Sequence, residues 1–188
     1  MRALRARRLG VPRVWSNEWS RIVSSNPGQP NPQVAQAKQM FLSLTLGRRV
    51  ALVAGVVGLI FSFFHWYSVS YDAGPFSGSA SISGWHGWGI ISVLLLIASG
   101  VIAVLPLVGI PSLRSLVPTL PPTVTDSMVL MGAGVIAILT TLLFMFTEGS
   151  GASGAGYSEG PSIGAYVGLI CAIAVAAGGY LMRTDPAA

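Results

Sequence analysis

The side chains best suited to binding chemistry fall in one short stretch: His65, Trp66, Tyr67 and Tyr71, followed by Trp85, His86 and Trp88. His65 and His86 are the two histidines of the 188-residue chain, and two imidazoles on one membrane face could act as axial ligands of a haem or hold a metal ion. Gly84, Gly87 and Gly89 would let a flat macrocycle approach closely. A plainer role suits the aromatic residues equally: Trp66, Tyr67, Tyr71, Trp85 and Trp88 would form an outer belt at headgroup level, where such rings are favoured. Contact with a quinone or a lipid headgroup is a third reading. Two histidines without a cysteine or carboxylate partner make a poor metal set, so no metal site is expected, and haem or quinone near His65 and His86 is kept as an alternative. Cys171 is the single cysteine, which leaves no intramolecular disulfide, no CxxC pair and no structural zinc site.

The sequence contains no GxxxxGK[ST] or HExxH run, and its six Asp and Glu residues include no pair within one helical turn. The chain is therefore read as non-enzymatic.

Four apolar segments must position the aromatic-histidine cluster. They run at about 50–69, 88–110, 128–146 and 163–182, each near the ~20 residues that a helix needs to cross a ~30 Å hydrocarbon layer. At 52% hydrophobic and 9% charged, with mean hydropathy +0.67, the composition is too apolar for an ordinary soluble domain. The expected fold is an all-α membrane protein, a four-transmembrane-helix bundle over residues 48–183 with a basic tail (1–47) and a short C-terminal tail (184–188). Short loops rich in Lys and Arg stay cytoplasmic. Nine of the eleven Lys and Arg precede the first span, Arg114 lies between spans two and three, and Arg183 follows span four. Both termini should therefore face the cytoplasm. The connections 70–87 and 147–162 contain no Lys or Arg and should face outward as flexible Gly/Ser-rich loops.

The pI near 10 comes from that tail, with no nucleic-acid-binding signature beside it, so anionic lipid headgroups are the expected partner rather than nucleic acid. Arg5, Arg7, Arg8, Arg13, Arg21, Arg48 and Arg49, with Trp15 and Trp19, form the expected membrane-surface or partner contact. Asn26 to Pro32 interrupts the tail with three prolines, which stop a helix. Short interfacial helices are expected on either side of it, the second carrying Val34, Ala37, Phe41 and Leu44 on one face.

No span contains Asp, Glu, Lys or Arg in its interior, which argues against ion-coupled transport, because such paths are usually marked by charge. The spans instead carry small residues at every fourth position: Ala54, Gly58 and Ser62; Ala133, Ala137 and Thr141; Gly164, Gly168, Ala172 and Ala176. Such faces let helix backbones pack closely, either within the bundle or against a second copy. A shift of 78 positions lays Val50 on Met128, Gly55 on Ala133, Trp88 on Tyr166 and Gly100 on Gly178, leaving open a parallel two-hairpin repeat.

Phe64-His65-Trp66-Tyr67-Ser68-Val69-Ser70, Ser83-Gly84-Trp85, Ile163-Gly164-Ala165-Tyr166-Val167-Gly168 and Gly178-Gly179-Tyr180-Leu181 resemble a group of small four-helix integral membrane proteins of actinobacteria over about residues 48–183. In that group the first helix often ends in a Pro-Trp-Tyr type motif. His65 stands where proline is frequent, which implies that it is not a group-wide ligand. The resemblance implies a four-span topology and a bacterial cell-membrane location, and it brings no activity with it. The expected function is that of a structural or accessory subunit, packed against other membrane proteins or itself. The alternatives are a small transporter, channel or lipid-handling protein, and a redox accessory subunit.

Overall fold

The computed structural model describes residues 32–73, 75–148 and 157–184. Two units divide the chain, 1–39 and 40–188. In the first, the described residues 32–39 are the opening turns of α1 (Pro32–Ser43); Pro32 at its first position suits a helix start, where the missing N–H has no partner to lose. The other tail residues named above, Arg5 through Arg21, lie outside the described residues.

In the second unit, α2 (Leu46–Ser62), α3 (Gly89–Val104), α4 (Asp126–Thr147) and α5 (Ile163–Thr184) pack in the cyclic order α2, α3, α4, α5. Three stretches are long and apolar enough to cross a membrane: Gly89–Val108, which adds a 3-10 turn to α3, Asp126–Thr147 and Ile163–Thr184. The first apolar helix is shorter than expected, at 17 residues. It ends at Ser62 rather than near residue 69 because the following sequence switches from helical to strand periodicity.

That switch produces the largest departure from the expected all-α fold. β1 (His65–Ala73), β2 (Phe76–Ser83) and β3 (Tyr157–Pro161) form an antiparallel sheet in the order β2-β1-β3. Tyr67, Val69 and Tyr71 alternate with Ser68, Ser70 and Asp72, and Phe76, Gly78, Ala80 and Ile82 alternate with four serines. This period of two is the pattern of a strand with one face covered. The register pairs Tyr67 with Ile82 and with Pro161, and Val69 with Ala80 and with Glu159. Tyr67 is buried while Ser68, Ser70, Ser79, Ser81 and Ser158 on the opposite face are exposed. Tyr71 lies across from Gly78, where a Cβ would collide with its ring; the glycine leaves room for the tyrosine to cover its neighbour strand. The connections expected to be flexible loops thus contain a folded cap.

Close helix approach is set by glycine. A Cβ on Gly55 would lie 2.7 Å from Gly100 Cα between α2 and α3, one on Gly178 2.7 Å from Gly47 O between α5 and α2, and one on Gly134 2.7 Å from Ala176 Cα between α4 and α5. The fourth neighbour pair, α3 and α4, is joined by side chains: Ser92 Oγ lies 3.2 Å from Ala137 O and 2.6 Å from Thr141 Oγ1. Hydrogen bonds of this kind between membrane helices average about 0.6 kcal/mol. Thr141→Val is accordingly expected to cost under about 1 kcal/mol, because Ser92 retains the Ala137 carbonyl; a thermal midpoint in detergent measures it, and a loss of several kcal/mol would contradict this assignment.

Candidate functional site

At the sheet end, the sequence cluster is divided between inside and outside. Trp66, expected in an outer aromatic belt, is fully buried, and Tyr67 is 3% exposed. Consecutive strand residues normally face opposite ways, but the β1–β2 register shifts between His65 and Tyr67, and this bulge lets both neighbouring rings be buried. Trp66 Nε1–H donates to Phe61 O at 2.9 Å, and its ring meets Phe144 edge to face, with centroids 5.7 Å apart and planes at 82°. Three glycines cradle it: a Cβ on Gly84 would lie 2.6 Å from Trp66 Cε2, one on Gly164 3.0 Å from Nε1, and one on Gly168 2.7 Å from Cη2. The small-residue stripe on α5 therefore divides its work. Gly164 and Gly168 receive an indole, while Ala176 meets α4 at Gly134 and Ala172 is buried in the core.

The sheet is tied to the helix ends by Ser162 N–H donating to Trp66 O at 2.8 Å and Gly84 N–H donating to Ser62 O at 3.2 Å. Ser62 Oγ donates to Leu59 O at 2.6 Å and accepts from Trp85 Nε1–H at 3.1 Å. Tyr71, Trp85 and Trp88 are exposed. His65 opens β1, opposite Ser83, and His86 lies in the turn before α3; both are exposed. Among the described residues no three His, Cys, Asp or Glu side chains gather as a metal site. A cleft of about 230 Å³ beside Tyr67 and Val69 is flanked by Glu148 and Glu159.

The remaining stripe residues line contacts within the bundle. Ala54, Gly58 and Ser62 are buried on α2, with a Cβ on Gly58 falling 2.8 Å from Leu96 Cδ1. Ala137 and Thr141 are buried on α4, whereas Ala133 is half-buried and its neighbour Gly134 makes the close contact. Sequence reasoning passed over Gly134 because an Ala-xxx-Ala spacing next to it drew the stripe one residue away.

At the opposite end, Arg48 and Arg49, expected to meet lipid or a partner, are engaged within the protein. Arg48 Nη2 donates to Asp126 Oδ2 at 2.8 Å, with both side chains nearly buried. Asp126 Oδ1 accepts the Leu113 backbone N–H at 3.0 Å. Arg49 donates from Nε to Leu44 O at 2.8 Å and from Nη2 to Leu42 O, with its guanidinium 5.9 Å above the Phe41 ring centroid. It thereby satisfies carbonyls at the end of α1, groups left without intrahelical partners. Thr125 caps α4, its Oγ1 accepting from Met128 N–H at 3.4 Å.

No family model and no curated protein matches the sequence.

Proposed function

We propose that the protein is a non-catalytic integral membrane protein with four spans and cytoplasmic termini, acting as a structural or accessory subunit of a larger membrane complex or of a homo-oligomer in a bacterial cell membrane. The observation that carries this reading is how the interior is filled. The buried Ser62, Ser92, Ser99, Thr140 and Thr141 all bond to helix backbone or to one another, and the helix pairs close on glycines, while Val53, Val56, Leu94, Val101, Ile136, Leu139 and Ile173 face outward. A packed interior with an apolar exterior suits a body whose business is at its surface.

The fourth crossing is supported by α2 itself. Along its length it touches α5 through Gly47 and α3 through Gly55 and Gly58, so it lies at the depth of helices that are long enough to span. At ~1.5 Å per residue its 17 residues cover about 25 Å, and the exposed Phe63 and Phe64 extend its apolar surface. The repeat reading gains support too: the 78-residue shift carries Ser79–Ser83 of β2 onto Tyr157–Pro161 of β3, and these strands pair with the two edges of β1.

Two measurements test the proposal. Reporters active only outside the cytoplasm are expected to work when fused after residue 75 and to fail after residues 120 and 188; activity after 120 would refute the topology. Native mass spectrometry after mild solubilisation is expected to give an assembly heavier than one 19.6 kDa chain, weakened by deletion of residues 1–32. A lone monomer under every gentle condition would refute the accessory role.

A further inference from the structure

Five of the described residues are Lys or Arg: Lys38, Arg48, Arg49, Arg114 and Arg183. Three of them, Arg48 from α2, Arg114 from the short 3-10 turn Leu113–Ser115 and Arg183 from the end of α5, line a single cavity of about 520 Å³, together with Ser112, Ser127 and Asp126. Among the described residues Asp126 is the only acid on its wall, and both its oxygens are occupied, one by Arg48 and the other by Leu113 N–H. It neutralises one arginine, and Arg114 and Arg183 have no acidic partner among the described residues. Arg48 Nη1 is buried and has no hydrogen-bond partner. The guanidiniums of Arg114 and Arg183 are on exposed residues at the mouth, so an anion can reach them. Hydroxyls on Ser112 and Ser127 add donors.

We infer that this cavity binds a phosphate group, and that the phosphate is the headgroup of an anionic phospholipid. Guanidinium groups match the oxygens of a phosphate with directed paired donors. Two exposed guanidiniums, Arg114 and Arg183, with the ion-paired Arg48 behind them, are brought together from distant parts of the chain around a volume larger than one phosphate and form a recognition site rather than scattered surface charge. The cavity lies where the arginine-bearing ends of the helices meet, with Met128 and Met182 on its wall, so a headgroup can occupy it while its acyl chains continue along apolar helix surface. The choice of a lipid as the source rests on the membrane reading above; recognition of phosphate does not.

The test uses the full chain purified in detergent, scored by native mass spectrometry for retained phosphatidylglycerol against phosphatidylcholine, and then titrated with inorganic phosphate. Phosphatidylglycerol is expected to be retained over phosphatidylcholine. Arg114→Gln with Arg183→Gln is expected to lower that retention at least about tenfold, since each basic side chain near an anionic headgroup is worth roughly a fivefold factor, while Lys38→Gln leaves it unchanged. Both substituted arginines are exposed, so the helical circular dichroism should be retained. Displacement of the lipid by millimolar inorganic phosphate would assign the site to phosphate from either source, and resistance to it would assign the site to the lipid. Equal retention of the two lipids, with no binding of inorganic phosphate, would overturn the inference, as would full retention of phosphatidylglycerol in the double variant.

Discussion

Replacing Trp66 with alanine is expected to lower stability by about 3–5 kcal/mol, on the order of 10 °C in melting temperature for a chain of this size. The indole is fully buried, donates to Phe61 O at 2.9 Å and packs on Phe144, so truncation empties a site walled largely by the backbone at Gly84, Gly164 and Gly168, which has no side chains to fill the space. Gly168→Leu attacks the same contact from the other side. Its Cβ alone would fall 2.7 Å from Trp66 Cη2, and the ring cannot swing away because its hydrogen bond and Phe144 hold it. A loss of about 1–3 kcal/mol or more is expected from that overpacking. The informative experiment is the pair. In Trp66→Ala with Gly168→Leu the new side chain enters the emptied site, so the double variant should be more stable than the sum of the two losses by at least about 1 kcal/mol. Strict additivity in detergent melting curves would show that the two residues do not share one space.

That cradle also shows where the sequence was legible and where it was not. The long helices could be read because their apolar runs exceed any soluble alternative, and Gly89–Val108, Asp126–Thr147 and Ile163–Thr184 fall within a few residues of the expected spans. Reading Trp66 and Tyr67 as an interfacial belt that closes the helix misplaces the end of α2, although His65, Ser68 and the polar tips of the two rings already break its apolar run. The signal that separates strand from helix is the alternation Tyr67-Ser68-Val69-Ser70-Tyr71, continued in Phe76 to Ser83 with Gly74-Pro75 between, a hairpin pattern obscured by treating Gly and Ser content as flexibility. The burial of Trp66 lay beyond reach altogether, because its pocket is assembled from Gly84, Gly164 and Gly168 and exists only once β1 lies over the ends of α3 and α5. The stripe Gly164-xxx-Gly168 was visible as a place for close approach. What approaches it was not.

The arginine end teaches the converse lesson, and it carries the second large effect. Positive charge near a helix start reads as a topology marker, yet Arg48 is 13% exposed and paired with Asp126 at 10%, joining α2 to α4, which face each other across the ring rather than side by side. Asp126→Ala is expected to cost about 3 kcal/mol, because removal of one partner leaves the other as an uncompensated buried charge. Here the loss is compounded: Arg48 already has one buried nitrogen without a partner, and Leu113 N–H loses its acceptor, freeing the strap between α3 and α4. Asp126→Asn separates these contributions, since its amide oxygen can still accept from Leu113 while the charge is gone. Replacing the pair together, Arg48→Met with Asp126→Leu, should cost less than Asp126→Ala alone, as apolar side chains of similar size avoid the stranded charge. Melting curves of the three variants decide the matter. If the double replacement were as damaging as Asp126→Ala, the stability at this end would come from the attraction between the charges rather than from avoiding a lone one.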